Sequence, residues 1–145
     1  IKDPTMQNAV EVLQRVPTVG RFVAYEVACD LRHTRLLCDA RDRLCWANPG
    51  PGAMRGIHRL YTGVPHRIEG TKVDYVAVMR DLFERAKKQK RLMKVLSQCE
   101  WPFEMREIEH SLCEFDKFQR ATNGEGRPRS KFHPPKDDQL NLPWE

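Results

Sequence analysis

The stretch Val16-Pro17-Thr18-Val19-Gly20 decides the fold, because it separates two segments whose apolar residues recur at helical intervals. Those residues are Met6, Ala9, Val10 and Leu13 before the turn, and Phe22, Val23, Val27 and Leu31 after it. A Pro-to-Gly turn of this length fits only a tight hairpin of two helices. Its free backbone N–H groups, at the positive end of the second helix dipole, attract a phosphate whatever the base sequence. The residues that we expect to contact phosphate there are Thr18, Val19, Gly20 and Arg21.

The composition is that of one domain with a moderate excess of positive charge. The chain has 145 residues, with 25 Lys and Arg against 20 Asp and Glu, a net charge of +5 and a pI near 9.1. This length can bury a real core, and the charge is compatible with a nucleic-acid partner without requiring one. No apolar run has the length of a membrane span and no signal peptide opens the chain. We therefore expect a cytoplasmic protein, located in the host cytoplasm if the source is viral.

The five cysteines argue against both a disulfide framework and a metal site. They are odd in number and include no Cys-x-x-Cys pair, which is typical of an intracellular protein. His110 and Cys113 share a helix face, but two residues do not make a zinc site. We expect no metal and no cofactor.

The periodicity of the remaining chain predicts an all-α domain. Helices are expected over residues 5–15, 21–33 and 53–61, from 75 into the basic run of 85–94, and from 102 to about 122–124, with a shorter element over 34–46. Thr71 and Asp74 have the spacing of a capping box before the fourth helix. The side chains expected to point inward include Leu36, Leu37, Leu44, Met54, Ile57, Leu60, Ile108, Leu112 and Phe115. The domain is predicted to cover residues 1–131, followed by a Pro-rich C-terminal tail over 132–145.

An acidic group follows the hairpin and consists of Asp30, Asp39 and Asp42. A carboxylate in such a place can act as a general base, or stabilise positive charge near a flipped nucleotide. The simpler interpretation is a set of solvated surface aspartates.

A second region of interest is the loop Trp46-Ala-Asn-Pro-Gly-Pro-Gly-Ala-Met-Arg-Gly56. Its glycines, Gly50 and Gly52 among them, permit close approach of another backbone or of a ligand. Arg55 lies at the start of the following helix, where it can bind a phosphate through two parallel hydrogen bonds. Trp46 can stack on a base. The alternative is a rigid turn between helices with Trp46 filling the core.

A third region combines a helix face with a basic loop. The residues that share the face are Glu109, Cys113, Asp116 and Arg120. Arg127, Arg129 and Lys131 follow in a Gly- and Pro-rich segment suited to clamp a phosphate or pyrophosphate. The alternatives are a salt-bridged surface for the helix and a disordered basic tail for the loop.

Four segments together resemble the α-glutamyl/putrescinyl thymine pyrophosphorylase family, and the similar helical domain that accompanies 5-hydroxymethyluracil DNA kinases in bacterial viruses. They are residues 22–32, 46–56, 109–117 and 126–130, and the Trp-Ala-Asn-Pro-Gly-Pro-Gly string is the most specific part. The likeness spans about residues 16–131. The hairpin resembles that of the helix-hairpin-helix DNA glycosylases, which read Leu-Pro-Gly-Val-Gly where this chain reads Val-Pro-Thr-Val-Gly. The resemblance implies an all-helical, glycosylase-like domain.

The resemblance also implies an enzyme, a transferase that acts on modified thymine in double-stranded DNA. Its expected substrate is a flipped, phosphorylated or pyrophosphorylated 5-hydroxymethyluracil. The expected reaction replaces the pyrophosphate with an amine donated by an amino acid or a polyamine. A 5-hydroxymethyluracil DNA kinase is a further expected partner, and no membrane partner is expected.

The same resemblance suggests roles for individual residues. The catalytic carboxylates are Asp42, Asp30 and Asp116, with the choice between Asp39 and Asp42 left open, since these lie nineteen and twenty-two residues beyond Gly20. Beyond the hairpin, the DNA and phosphate contacts are Gly50, Gly52, Arg55, Arg127, Arg129 and Lys131. Tyr25 and Trp46 are expected to stack on or orient the base.

Two other functions stay open at this point. A monofunctional DNA glycosylase would use the same hairpin and an acidic residue to remove a modified base. Strand cleavage is disfavoured because strand-cleaving glycosylases carry a lysine two residues past the last hairpin glycine, where this chain has Phe22. A non-catalytic DNA-binding module would instead bind through the basic run of residues 85–94.

Overall fold

The computed structural model describes residues 4–66 and 72–125, and within these ranges the chain is all-α, as predicted. The helices are α1 (Met6–Leu13), α2 (Arg21–Leu31), α3 (Pro51–Thr62), α4 (Tyr75–Lys87), α5 (Lys90–Leu96) and α6 (Met105–Thr122). The most extensive packing joins α3 to α6, while α1 pairs with α2 and α4 lies against α6. The largest side chains at the centre of the core are Phe83, Leu37, Met79 and Met105.

The predicted helical hairpin is present as α1 and α2, and its turn holds one residue in an unfavourable conformation. The Val19 N–H donates to the Val16 carbonyl at 3.1 Å, with Pro17 and Thr18 between them. Thr18 has a φ of 73°, the left-handed conformation of the third residue in a type II turn, which favours glycine. A threonine there is strained by about 1–2 kcal/mol, and such strain clusters at functional sites.

The apolar face predicted for α2 is wrong at three of its four residues, since only Leu31 packs against the core. Phe22, Val23 and Val27 are exposed. The residues that α2 buries are Ala24, Tyr25, Ala28 and Cys29. Small side chains on the inner face let neighbouring backbones approach closely, so the packed face of α2 is not its most hydrophobic one.

The segment between α2 and α3 forms successive turns instead of the predicted shorter element. Its backbone hydrogen bonds reach back only three or four residues, as from Leu37 N–H to the Thr34 carbonyl at 3.2 Å. Leu37 is buried as expected, whereas Leu36 and Leu44 are exposed. A chain that turns repeatedly can bury one leucine without burying its neighbours.

The bounds of the later helices differ from the prediction because of their capping residues. Pro51 begins α3, two residues early, since proline fits the first helical position. Glu104 and Glu107 form a capping box that begins α6 at Met105 instead of residue 102.

The inward positions predicted for these helices are partly correct. Ile57, Ile108 and Leu112 are buried. Met54 and Phe115 are half-buried, and Leu60 is exposed.

The basic run predicted as one helix divides between α4 and α5. The break falls at Lys88 and Gln89, and α5 buries none of its residues. The α4 N-terminus is capped by Asp74, whose Oδ1 accepts from Ala77 N–H at 3.0 Å. Thr71, the other half of the predicted capping box, lies outside the described residues, as does the predicted tail over 132–145.

Candidate functional site

The contact between α3 and α6, called the seam below, is built on two glycines of α3. A Cβ added at Gly56 would lie 2.3 Å from the Leu112 carbonyl oxygen, and one at Gly52 would lie 2.9 Å from Cys113 Sγ. Close approach of a second backbone was one of the two roles predicted for the glycines of this loop. The two segments that resemble the pyrophosphorylase family most specifically, residues 46–56 and 109–117, therefore pack against each other.

Where the start of α3 meets α6, the seam holds a buried carboxylic acid. Glu109 is almost fully buried, its carboxylate accepts from the Gly50 backbone N–H at the start of α3, and Cys113 Sγ lies 3.4 Å from its Oε1. Burial raises the pKa of Glu109. Burial also raises the pKa of the Cys113 thiol to about 12, with a contribution from the charge of Glu109. Cys113 is thus a protonated donor to Glu109, and Gly50 is occupied by protein instead of ligand.

Farther along α3 and α6, one carboxylate orients two arginines. Asp116 is fully buried. Its Oδ2 accepts from Arg55 Nε at 2.8 Å, and its Oδ1 accepts from Arg59 Nε at 2.9 Å. Because each arginine binds Asp116 through Nε, the terminal amino groups of both guanidinium groups point past the carboxylate. Arg55 keeps 39% of its side chain exposed.

These arginines line an open cleft of about 330 Å³, called the arginine cleft below. Its walls are formed by Arg55, Arg59, Pro65, His66, Arg120 and Glu125. Glu125 binds the two terminal nitrogens of Arg59 with its two carboxylate oxygens, and the pairing lowers the pKa of Glu125 to about 2. This fork-to-fork geometry is the one with which arginine binds phosphate. Three arginines against the carboxylates of Asp116 and Glu125 leave a net positive charge, and the terminal nitrogens of Arg55 and Arg120 bind none of the described residues, so they are available to an anion.

The hairpin offers a second set of anion donors. Gly20 is the N-cap of α2 and provides no side-chain hydrogen bond to it. A Cβ added at Gly20 would meet nothing within 4 Å, and its φ of −75° is ordinary for any residue. The first N–H groups of α2 are therefore open to a ligand.

The Gly20→Ala variant separates folding from binding at the hairpin. The free energy of unfolding should change by less than about 0.5 kcal/mol, because the methyl group has space. DNA affinity should fall about tenfold, because that methyl group stands where a phosphate reaches the N–H groups. Fluorescence anisotropy with labelled duplex DNA measures the affinity, and Ser97→Ala, at an exposed site, serves as a control. Unchanged affinity in Gly20→Ala would remove the phosphate contact from the hairpin.

A comparison with known protein families matches residues 2–127 to the 5-hmdU DNA kinase, helical domain. The chain belongs to the 5-hmdU DNA kinase helical-domain family. Membership confirms the predicted kinship with the helical domain that accompanies 5-hydroxymethyluracil DNA kinases, and it links this helical domain to 5-hydroxymethyluracil modification in DNA. No curated protein and no solved structure matched the chain.

In this helical domain, the three predicted catalytic carboxylates lie in different environments. Asp42 accepts from the backbone N–H groups of Met6 at 2.7 Å and Gln7 at 3.0 Å, so both its oxygens cap α1. Asp30 is exposed on α2, and the neighbouring candidate Asp39 is exposed in the turns. Asp116 holds the two arginines of the cleft. The structure does not bring these carboxylates into one cluster.

The predicted stacking residues belong to the core. Tyr25 is 3% exposed and meets Trp46 edge to face, with ring centroids 6.0 Å apart. Burial raises the pKa of Tyr25. Trp46 is half-buried. The enclosed ring of Tyr25 has no free face for a base, whereas Trp46, for which core filling was the alternative, packs partly buried against the core.

The remaining predicted phosphate contacts lie in the arginine cleft, in the seam or outside the described residues. Arg55 lines the arginine cleft, while Gly52 packs on Cys113. Arg127, Arg129 and Lys131 lie outside the described residues. Arg59 and Glu125 were not among the predicted site residues. The spacing of Arg55 and Arg59, one helical turn apart, was the signal that could have identified Arg59.

Two further observations concern only the part of the chain that the structure describes. No group of three His, Cys, Asp or Glu side chains comes together there as metal ligands. The His110 side chain instead lies beside Glu114, with 3.8 Å between Nε2 and Oε1. No helix in residues 4–66 or 72–125 combines the length and apolar character that crossing a bilayer requires.

Proposed function

We propose that this helical domain acts on (pyro)phosphorylated 5-hydroxymethyluracil in DNA and replaces the pyrophosphate with an amine. The observation that carries the proposal is the arginine cleft, where one buried carboxylate orients Arg55 and Arg59 toward the same open space. Family membership supplies the modified base. The open N-terminus of α2 supports the proposal with a place for the DNA backbone.

The cleft would act on the leaving group. When the bond between the base methylene carbon and the pyrophosphate oxygen breaks, negative charge develops on the pyrophosphate. Arg55 and Arg120 would neutralise it, and Arg59 would join them once its partner Glu125 is displaced. Arg127, Arg129 and Lys131 follow Glu125 in the sequence and lie outside the described residues, so their phosphate contacts stay a prediction.

The amine forms the new carbon–nitrogen bond and must lose one proton. Asp116 would serve as a positioning residue, since both its oxygens bind arginine. Asp42 would likewise be structural, because it caps α1. Asp30 is exposed on α2 and does not line the arginine cleft, so we assign the proton to the departing pyrophosphate.

A binding module without catalysis is the second candidate function. The hydrogen bonds of the two carboxylates favour it, because both oxygens of Asp42 and both oxygens of Asp116 already accept from protein donors. In that case the cleft would recognise the phosphorylated base for an accompanying kinase, and no bond would break.

Nucleoside mass spectrometry distinguishes these functions. DNA that contains pyrophosphorylated 5-hydroxymethyluracil is incubated with the full chain and a pool of amino acids and polyamines. We expect loss of the pyrophosphate and an amine adduct on an intact nucleoside. Free base with abasic sites would instead indicate a glycosylase, and unchanged DNA that stays bound would indicate the binding module.

The Arg55→Ala variant tests the cleft in either case. Affinity for DNA with the phosphorylated base should fall about tenfold or more, because one charge-assisted hydrogen bond contributes about 1.5–3 kcal/mol. Affinity for unmodified DNA should stay the same. Arg35→Ala is the matched control, since Arg35 is exposed in the turns after α2 and does not line the cleft. If Arg55→Ala and Arg35→Ala behave alike, the cleft does not hold the phosphate.

A further inference from the structure

A second cavity lies near the start of α6, away from the arginine cleft at its other end. It measures about 210 Å³ and is lined by residues of three segments, the end of α2, the turns that follow it and the chain before α6. Glu104 lines this cavity and precedes Asp116 by twelve residues, about 18 Å along a helix at 1.5 Å per residue. One nucleobase cannot occupy both places.

An exposed tryptophan forms one wall of this cavity, which is called the tryptophan pocket below. Trp101 is 60% exposed, and its ring meets His33 at a centroid distance of 4.3 Å and an angle of 67°. His33 lines the same pocket, so the two rings pack against each other within its wall. A fixed, exposed aromatic face is the usual platform on which proteins stack an unpaired base.

Two arginines give the pocket hydrogen-bond donors. Arg32 and Arg43 bind the two carboxylate oxygens of Glu104, at 3.0 Å and 3.3 Å. The Arg43 Nε–H is buried and has no acceptor. The donor that a ligand can reach is the rest of the Arg43 guanidinium, whose side chain is 28% exposed.

We propose that the tryptophan pocket binds an unpaired pyrimidine nucleotide of the uracil or thymine type. The volume equals that of about seven water molecules, enough for a single ring and too small for a dinucleotide. Arg32 and Arg43 occupy the Glu104 carboxylate, so the lining offers guanidinium donors and no free carboxylate. Donors match the two carbonyl oxygens of such a ring. This nucleotide is distinct from the one in the arginine cleft, so the proposal does not depend on the reaction proposed there.

Binding of short single-stranded oligonucleotides to the full chain tests the pocket. Labelled oligothymidylate should bind more tightly than oligoadenylate. Trp101→Ala should weaken oligothymidylate binding by about tenfold or more, within the range found when one stacked aromatic is removed. Trp101→Phe should restore most of the affinity. Phe118→Ala is the matched control, because Phe118 is equally exposed and lies outside the pocket.

Thymidine monophosphate distinguishes the two sources of such a ligand. If thymidine monophosphate displaces labelled oligothymidylate from the natural protein but not from Trp101→Ala, the pocket takes a free nucleotide. If only the strand binds, the pocket takes an unpaired base in DNA. Equal affinities of Trp101→Ala and Phe118→Ala for oligothymidylate would overturn the proposal. The arginine cleft is tested with DNA that carries the phosphorylated base and this pocket with unmodified oligothymidylate, so failure of one proposal is distinguishable from failure of the other.

Discussion

Gly56→Ala is expected to lower the free energy of unfolding by about 3 kcal/mol, at the upper end of the usual overpacking range. The added methyl group would lie 2.3 Å from the Leu112 carbonyl oxygen, which belongs to the backbone of α6. No side-chain rotation relieves that contact, so α3 and α6 must move apart along the seam. Urea unfolding followed by circular dichroism at 25 °C measures the change.

Two other glycines provide the comparison for this prediction. Gly20→Ala should leave stability unchanged, because its methyl group has open space. The loss of stability in Gly52→Ala should lie between those of Gly56→Ala and Gly20→Ala, since the nearest atom to the added methyl group is Cys113 Sγ at 2.9 Å. Adding Cys113→Ala should relieve that contact. Equal stabilities for the Gly56→Ala and Gly20→Ala variants would contradict the close helix approach.

Asp116→Asn is expected to lower the free energy of unfolding by about 3 kcal/mol, as Gly56→Ala does. It should also abolish selective binding of the phosphorylated base. Asp116 is fully buried and accepts from both Arg55 and Arg59. The amide keeps the volume but loses the negative charge and one acceptor, which leaves buried arginine charge poorly compensated. Glu125 still binds Arg59, so we expect the lower end of the range for a broken buried pair. Urea unfolding and anisotropy with phosphorylated and unmodified DNA measure the two effects.

An exposed ion pair is the control for this charge change. Asp81 binds Arg85 at 2.8 Å on the surface of α4, with both side chains at least half exposed. Asp81→Asn should therefore change stability by less than about 1 kcal/mol. If Asp116→Asn were as mild as Asp81→Asn, Asp116 would not be the residue that organises the cleft.

Several parts of the fold were predictable because they depend on neighbours in the sequence. The hairpin follows from Pro17 and Gly20 between two periodic segments, and α3 and α6 follow from their own periodicity. Thr18 shows the limit of this reasoning. The turn position could be assigned from the sequence, but the positive φ of Thr18 became visible only in the structure.

Other features depend on which surfaces meet in space, and sequence patterns could not assign them. The inner face of α2 was assigned to four apolar residues of which only Leu31 packs on the core, yet the face that α2 buries carries two alanines, a cysteine and Tyr25, because the closeness of the helices decides which side chains fit. Asp42 was predicted as a catalytic residue, and the structure makes it a cap for α1, which lies 35 and 36 residues away along the chain. Carboxylates have the same appearance in a sequence whether they meet a substrate or a helix end.

The sequence by itself determined the all-α class, the hairpin and the relation to the helical domain of 5-hydroxymethyluracil DNA kinases, since these depend on periodicity, turn chemistry and recognisable strings of residues. Only the tertiary structure decided that residues 46–56 lie on residues 109–117, that Asp116 orients Arg55 and Arg59, and that Tyr25 is buried while Trp101 is exposed. The physical reason is distance. Hydrogen bonds and packing act over a few ångströms, and residues about sixty positions apart come within that range only when α3 and α6 pack together.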